Sequence, residues 1–236
     1  MWDGKTVSVV FPAYNEEDNI AEAVKDFKSV GVVDEVLVVN NNSKDRTAER
    51  AAVAGGRVIT ETIQGYGAAL RRGLRDASGD YIILAEPDGT FVGRDVIKLL
   101  SYAEDFDMVC GTRTTRELIY AEANMGWFLR LGNIAVAKMV EWLFNGPSLS
   151  DCGCTLRLIR CEARDCMVDQ LTVTGSHFLP EMVILALRKR LRIVEVPVNY
   201  RRRIGESKIT GTLKGAFKTG MRMIWLIIKL RFRRIC

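Results

Sequence analysis

The sequence predicts an α/β fold with a mostly parallel central sheet, helices on both faces and an amphipathic helix at the C-terminus. Short apolar, β-branched runs recur along the first half, each followed by a stretch of helical spacing, with polar turns between them. Strands that alternate with helices imply crossover connections between parallel neighbours. The 236 residues are enough for one large domain with a full core, and 48% hydrophobic with 27% charged residues is a globular composition.

Residues 6–11 (TVSVVF) read as a buried strand that Pro12 stops. Asn15, with Asp18 three residues on, has the pattern of a capping box, and Ile20, Val24, Phe27 and Val30 follow at helical spacing. Residues 35–40 (EVLVVN) form a second strand, followed by a helix from about Asp45. Residues 57–60 make a third strand. A helix over 66–77 ends at Ser78-Gly79, and 81–85 is again apolar strand. The second half is less regular: strands are expected at 107–111, 156–159 and 191–198. Helices are expected at 126–144 (with Trp127, Leu131, Ile134 and Val140), at about 178–189, and from about 212 to near the end. Ligands of such sheets bind beyond the carboxyl ends of the strands, which singles out residues 12–16, 40–45 and 86–88.

The net charge of +5 is unevenly spread. Residues 201–236 hold 11 Lys or Arg and one acid, while the first 200 hold 23 basic and 28 acidic residues. A basic tail on an acidic body points to an anionic partner such as lipid headgroups, a lipid phosphate or nucleic acid. Four of the six cysteines (Cys152, Cys154, Cys161, Cys166) lie close together without C-x-x-C pairing, and the single histidine, His177, lies beyond them. That pattern reads as reduced thiols of a cytoplasmic protein rather than a zinc site. No signal-peptide pattern opens the chain, and no run reaches the roughly 18–20 apolar residues of a membrane span.

After the fourth strand stands Glu86-Pro87-Asp88-Gly89. Two carboxylates one residue apart, where the backbone leaves the sheet, can converge on Mg²⁺ or Mn²⁺, which favour oxygen ligands and share substrate phosphates. The plainer alternative is an acidic surface turn, since Pro and Gly are ordinary turn residues.

These blocks together resemble family 2 glycosyltransferases of the GT-A fold, the nucleotide-diphospho-sugar transferase fold, in the branch of polyprenyl-phosphate (dolichol-phosphate) sugar synthases. The resemblance runs over residues 7–208. Residues 11–16 (FPAYNE) are similar to the family's first-strand motif, which implies nucleotide contacts from Pro12, Tyr14 and Glu16. Residues 40–47 (NNNSKDRT) are similar to its second motif, with asparagines where the family usually has two aspartates and a glycine; Asn41 could still hydrogen-bond a base or ribose. Residues 64–69 (QGYGAA) resemble the glycine-rich turn and implicate Gln64. Glu86 and Asp88 occupy the D-x-D position, with Asp88 as direct metal ligand and Glu86 bound directly or through water. Arg113 would contact the donor. Residues 151–157 (DCGCTLR) resemble the acidic motif near the acceptor. Residues 200–208 (YRRRIGESK) resemble the basic loop, in which Arg202 or preferably Arg203, with Ser207 and Lys208, would hold the acceptor phosphate or donor diphosphate.

The resemblance implies inverting transfer of a sugar from a UDP- or GDP-sugar to a lipid-linked acceptor, a polyprenyl phosphate, with Asp88, Asp151 and Arg203 as the catalytic group. The transition state would have oxocarbenium character. A phosphate acceptor needs little base catalysis; with an alcohol acceptor, lipid or saccharide, Asp151 would be the base. A catalytically silent nucleotide-sugar binder is the rival that the Asn40–Asn42 departure raises. Glu181 either orients the acceptor loop or faces solvent.

Residues 1–211 are expected to form the catalytic domain and 212–236 a basic amphipathic helix. In that helix Lys214, Lys218 and Arg222 recur every four residues beside Leu213, Phe217, Met221, Ile224 and Ile228. Its densest apolar run is too short to span a bilayer, so it suits an anionic membrane surface, with Trp225 at headgroup depth. The expected location is the cytoplasmic face of a membrane, peripherally attached. Nucleic acid is not an expected partner, because the tail contains no recognition module.

Overall fold

The structure, a computed structural model, describes residues 1–120, 123, 127–204 and 213–233. Elements alternate as the periodicity predicts: β1 (Val7–Ala13), α1 (Ile20–Ser29), β2 (Glu35–Asn40), α2 (Thr47–Val53), β3 (Arg57–Thr60), α3 (Tyr66–Asp76) and β4 (Tyr81–Leu84). They continue with α4 (Asp95–Leu100), β5 (Met108–Thr112), α5 (Trp127–Phe144), β6 (Arg157–Arg160), α6 (Cys161–Asp165), α7 (Phe178–Arg188), β7 (Ile193–Pro197) and α8 (Leu213–Phe232).

The strands form one seven-stranded sheet in the order β3-β2-β1-β4-β6-β5-β7. The pairs β1–β2, β1–β4, β2–β3 and β5–β7 are parallel, and β6 runs antiparallel between β4 and β5. Side chains alternate across the sheet. Val10, Leu37, Val39, Ile82 and Leu84 face α3, α5, α7 and α8 in one core cluster. Val9, Phe11, Val36, Val38 and Ile83 face α1 and α4 in the other. Both faces are covered, so the strands read as near-continuous apolar runs.

Pro12 does not stop β1, which continues to Ala13 with Pro12 opposite Val39. Val10 accepts a hydrogen bond from Ala85 on the β4 side. Pro12 shares that orientation, and the β1–β4 ladder ends at Val10 opposite Leu84, so the missing N–H leaves no ladder bond unmade. Asn15 is not a helix cap. It adopts φ 53°, accepts a hydrogen bond from Lys44 N at 2.9 Å and donates its own N–H to Ser43 Oγ at 3.0 Å, which ties the loop after β1 to the loop after β2. Helix α4 was not expected, because its six residues are too few for a period to register.

Helix α8 places Leu226, Ile227 and Leu230 in the core cluster shared with α5 and α7. Phe217, Met221, Trp225, Ile228 and Phe232 remain exposed. Leu131 and Trp142 of α5 are also exposed, whereas Val136, Ala137 and Val140 are buried. Among the described residues no helix is long and apolar enough to cross a membrane. The boundary expected at 211/212 lies outside the described residues.

Helix α3 lies close on β1 and β2 because position 73 has no side chain: a Cβ there would run into Val10 Cγ1 and stand 3.1 Å from Val39 Cγ2. Gly73→Ala gains about 1 kcal/mol of helix propensity but overpacks this contact, at a cost of about 1–3 kcal/mol. Denaturant unfolding is expected to show net destabilisation, partly relieved by adding Val10→Ala.

Candidate active site

Parallel pairing brings the carboxyl ends of β1, β2 and β4 side by side, and the loops leaving them enclose a cavity of about 230 Å³. Pro12 comes from the end of β1, Tyr14 and Glu16 from the loop after it, Asn41 from the second loop, Gln64 from the turn before α3, Tyr66 from the first residue of α3, and Glu86 and Asp88 from the third loop. Arg203 closes the cavity from the segment after β7.

Asn41 is buried and its amide is fully committed. Nδ2 donates to Glu61 O at 2.9 Å and Ile63 O at 2.8 Å, while Oδ1 accepts from Gly65 N at 2.8 Å and Gln64 Nε2 at 3.3 Å. The amide therefore shapes the turn over 61–65, and the expected hydrogen bond to a base or ribose has no free donor or acceptor there. The same geometry accounts for asparagine rather than aspartate, because a carboxylate would face two carbonyl oxygens.

That turn is pressed from behind. Gly65 has φ 149°, and a Cβ on it would strike Thr174 O; the N–H of Gly67 donates to the same oxygen at 2.8 Å. Glu181, buried on α7 rather than facing solvent, accepts from Thr172 N at 3.1 Å, Thr172 Oγ1 at 2.8 Å and Val173 N at 2.9 Å, and so holds this supporting loop.

At the third loop, Glu86 Oε1 accepts from Tyr66 OH at 2.9 Å and from Thr155 Oγ1 at 2.6 Å. Asp88 Oδ1 accepts from Thr90 N at 3.0 Å and Thr90 Oγ1 at 2.5 Å. Burial alone would raise the pKa of Glu86, but hydrogen bonds from Thr155, Asp88 and Tyr66 and the charge of Arg203 outweigh it and hold the pKa below the usual carboxylate value. Asp88 is pushed up to about 7 by burial and by the charge on Glu86, against the pull of Arg203 and Thr90. Two neighbouring carboxylates, one buried and one half-buried, do not ionise independently.

Arg203 is the cation nearest this pair. Its Nη1 lies 3.0 Å from Asp88 Oδ2 and 3.9 Å from Glu86 Oε2, and its Nη2 lies 3.4 Å from Glu16 Oε1. Backbone bonds from Arg201 N to Thr90 O and from Ile204 N to Asp88 O, each 2.9 Å, hold the segment down. Arg202 is exposed, so of the two candidate arginines the cavity receives Arg203. Ser207 and Lys208 lie outside the described residues.

The residues present fit a hard divalent cation. Asp88 Oδ2 is buried with no hydrogen-bond donor aligned on it, and the converging ligand atoms are carboxylate oxygens. Among the described residues no group of three or more His, Cys, Asp or Glu could hold a metal unaided. Glu86 and Asp88 would supply part of a shell, completed by water and substrate phosphate.

Arg113 and Asp151 stand apart from the cavity and pair with each other. Arg113 Nε donates to Asp151 Oδ2 at 2.7 Å and Nη2 to Oδ1 at 3.0 Å, and the N–H groups of Arg113 and Gly153 also donate to Asp151. With both oxygens engaged and the side chain buried, Asp151 is not placed as a general base, and Arg113 is not placed as a donor contact. Arg157 is also buried; it donates to the carbonyls of Cys152, Cys154 and Leu179 rather than pairing with Asp151. Tyr66 and Thr155 were not singled out in the sequence. They stand 20 and 69 residues from Glu86, and no spacing rule links them to it.

Comparison with known proteins adds independent observations. The family model for glycosyl transferase family 2 matches residues 8–167. A low-salt glycan biosynthesis hexosyltransferase of Haloferax volcanii is 33% identical over 210 residues, 86% of this chain and 50% of that protein, so the chain spans only half the length of this relative. A dolichyl-phosphate hexose transferase of the same organism is 29% identical over 211 residues, 89% of each chain. Among solved structures, glucosyl-3-phosphoglycerate synthase of Mycobacterium tuberculosis, in complex with Mn²⁺, UDP and glucosyl-3-phosphoglycerate, superposes with a TM-score of 0.76 at 20% identity. That superposition covers 98% of this chain and 82% of the other.

Asn41→Asp is nearly isosteric but sets a carboxylate oxygen against Glu61 O and Ile63 O. A loss of about 2 kcal/mol or more in denaturant unfolding is expected; an unchanged midpoint would refute the role given to the amide.

Proposed function

The chain belongs to glycosyl transferase family 2, and from that membership and the geometry of the cavity we propose that it moves a hexosyl group from a UDP- or GDP-sugar to a lipid-linked phosphate, with inversion at the anomeric carbon. The observation that carries this reading is the convergence of Glu16, Glu86, Asp88 and Arg203 on one cavity at the strand ends.

Asp88 and Glu86 would hold Mg²⁺ or Mn²⁺, which when bound supplies positive charge to the departing nucleoside diphosphate. Pro12, Tyr14 and Gln64 line the cavity where a nucleotide would lie. The guanidinium of Arg203 is placed to leave the carboxylates for the diphosphate, which it can grip with two parallel N–H bonds. Charge stabilisation of this kind is made in place and needs no rearrangement at the moment of transfer. A phosphate acceptor is an anion already and needs no strong base. The engagement of Asp151 by Arg113 supports that acceptor over an alcohol. The polyprenyl-phosphate class also draws support from the dolichyl-phosphate hexose transferase relative.

The exposed face of α8 supports peripheral attachment to an anionic membrane. At about 100° per residue, Phe217, Met221, Trp225, Ile228 and Phe232 fall within a sector of about 80°, and all are exposed. Lys218, Arg222, Lys229 and Arg233 form the adjoining stripe and are exposed as well. Each basic residue near an anionic surface contributes about 1 kcal/mol.

Two measurements test these readings. A panel of UDP- and GDP-sugars with a polyprenyl phosphate, with product identified by mass, should show transfer that requires Mn²⁺ or Mg²⁺ and falls about 100-fold or more in Asp88→Asn. Metal-independent transfer, or an unimpaired variant, would refute the site. Phe217→Ser with Trp225→Ser spares the buried face of α8 and should lower partitioning onto anionic liposomes at least about tenfold. Unchanged partitioning would remove the membrane assignment.

A further inference from the structure

The two oxygens of Glu86 have different surroundings. Both hydroxyls that reach it, Tyr66 OH at 2.9 Å and Thr155 Oγ1 at 2.6 Å, go to Oε1, and they stand 2.6 Å from each other. Oε2 is the oxygen that faces Arg203 Nη1, at 3.9 Å, the same nitrogen that lies 3.0 Å from Asp88 Oδ2. The sheet itself makes this arrangement. In the antiparallel β4–β6 pair Leu84 stands opposite Arg157, so two residues beyond the ladder the register brings Thr155 alongside Glu86. Tyr66 arrives from the first turn of α3.

We propose that Tyr66 and Thr155 are positioning residues that divide the carboxylate of Glu86, anchoring Oε1 in the protein and presenting only Oε2 to the bound cation, so that this chain requires glutamate rather than aspartate at position 86. The inference rests on the metal site proposed above. A carboxylate of fixed orientation binds a metal better than a swinging one, because its rotamer is already selected. The anchor also bears on the length of the side chain. Aspartate is shorter by one methylene; a carboxyl group drawn back by that amount either keeps the two hydroxyls and withdraws from the cavity, or keeps the cavity and strands two buried hydroxyls without their acceptor. Glu86→Asp, ordinarily conservative and here a move toward the usual D-x-D pattern, therefore harms the site.

The test is a titration of the full chain with Mn²⁺, read from the EPR signal of the free ion, with UDP or GDP present to complete the coordination shell. Tyr66→Phe combined with Thr155→Val is expected to weaken Mn²⁺ binding about tenfold. Thr155→Ser, which keeps the hydroxyl, should bind as the parent does, and Glu86→Asp should lose affinity as the double variant does. Should the double variant not fold, the contrast between Thr155→Ser and Glu86→Asp decides. Parent-like Mn²⁺ affinity in the double variant or in Glu86→Asp, with affinity lost in Asp88→Asn, overturns the positioning role and leaves the metal site standing. A parent chain that takes up no Mn²⁺, or an Asp88→Asn variant that binds as the parent does, overturns the metal site and this inference together.

Discussion

Glu86 and Asp88 sit one residue apart at the edge of a buried cavity, and two carboxylates so placed repel each other strongly unless a cation stands beside them. Arg203 is that cation here, within 3.0 Å of Asp88. Much of the surrounding structure serves this cluster. Thr90 satisfies one oxygen of Asp88, while Tyr66 and Thr155 satisfy one oxygen of Glu86. Main-chain bonds to residues 88 and 90 bring the Arg203 segment across the mouth of the cavity. The arrangement attracts positive charge, and the proposed handling of a departing diphosphate rests on a cation held there.

The opposite wall is built on a different principle. Asn41, Gly65, Gly67, Thr174 and Glu181 form a chain of buried hydrogen bonds and close backbone approaches that involves no free charge in the cavity. Its polar groups are satisfied by one another, which rigidifies the turn over 61–65 and leaves shape rather than hydrogen bonding as its contribution to the cavity. One wall thus answers charge and the other answers shape.

Helix α8 has two unlike faces. One side of it completes the core with α5 and α7, so the helix is part of the folded unit, while the other side shows large apolar residues next to a basic stripe. The exposed apolar face is the feature on which the proposed attachment to a bilayer interface rests.

The sequence by itself determined the α/β alternation, the strand ends that line the cavity, and the carboxylate pair after β4. All of these are local: β-branched runs, helical spacing and a short acidic turn are legible within windows of a few residues. It misread Pro12 and Asn15, because a strand can continue past a proline whose N–H has no ladder partner, and an asparagine can join two loops rather than cap a helix. Only the tertiary structure decided that Arg203 enters the cavity rather than Arg202, that Asp151 belongs to Arg113, and that Tyr66 and Thr155 hold Glu86. Those pairings join residues tens to more than a hundred positions apart, and they follow from sheet register and helix placement, which no local pattern of residues encodes.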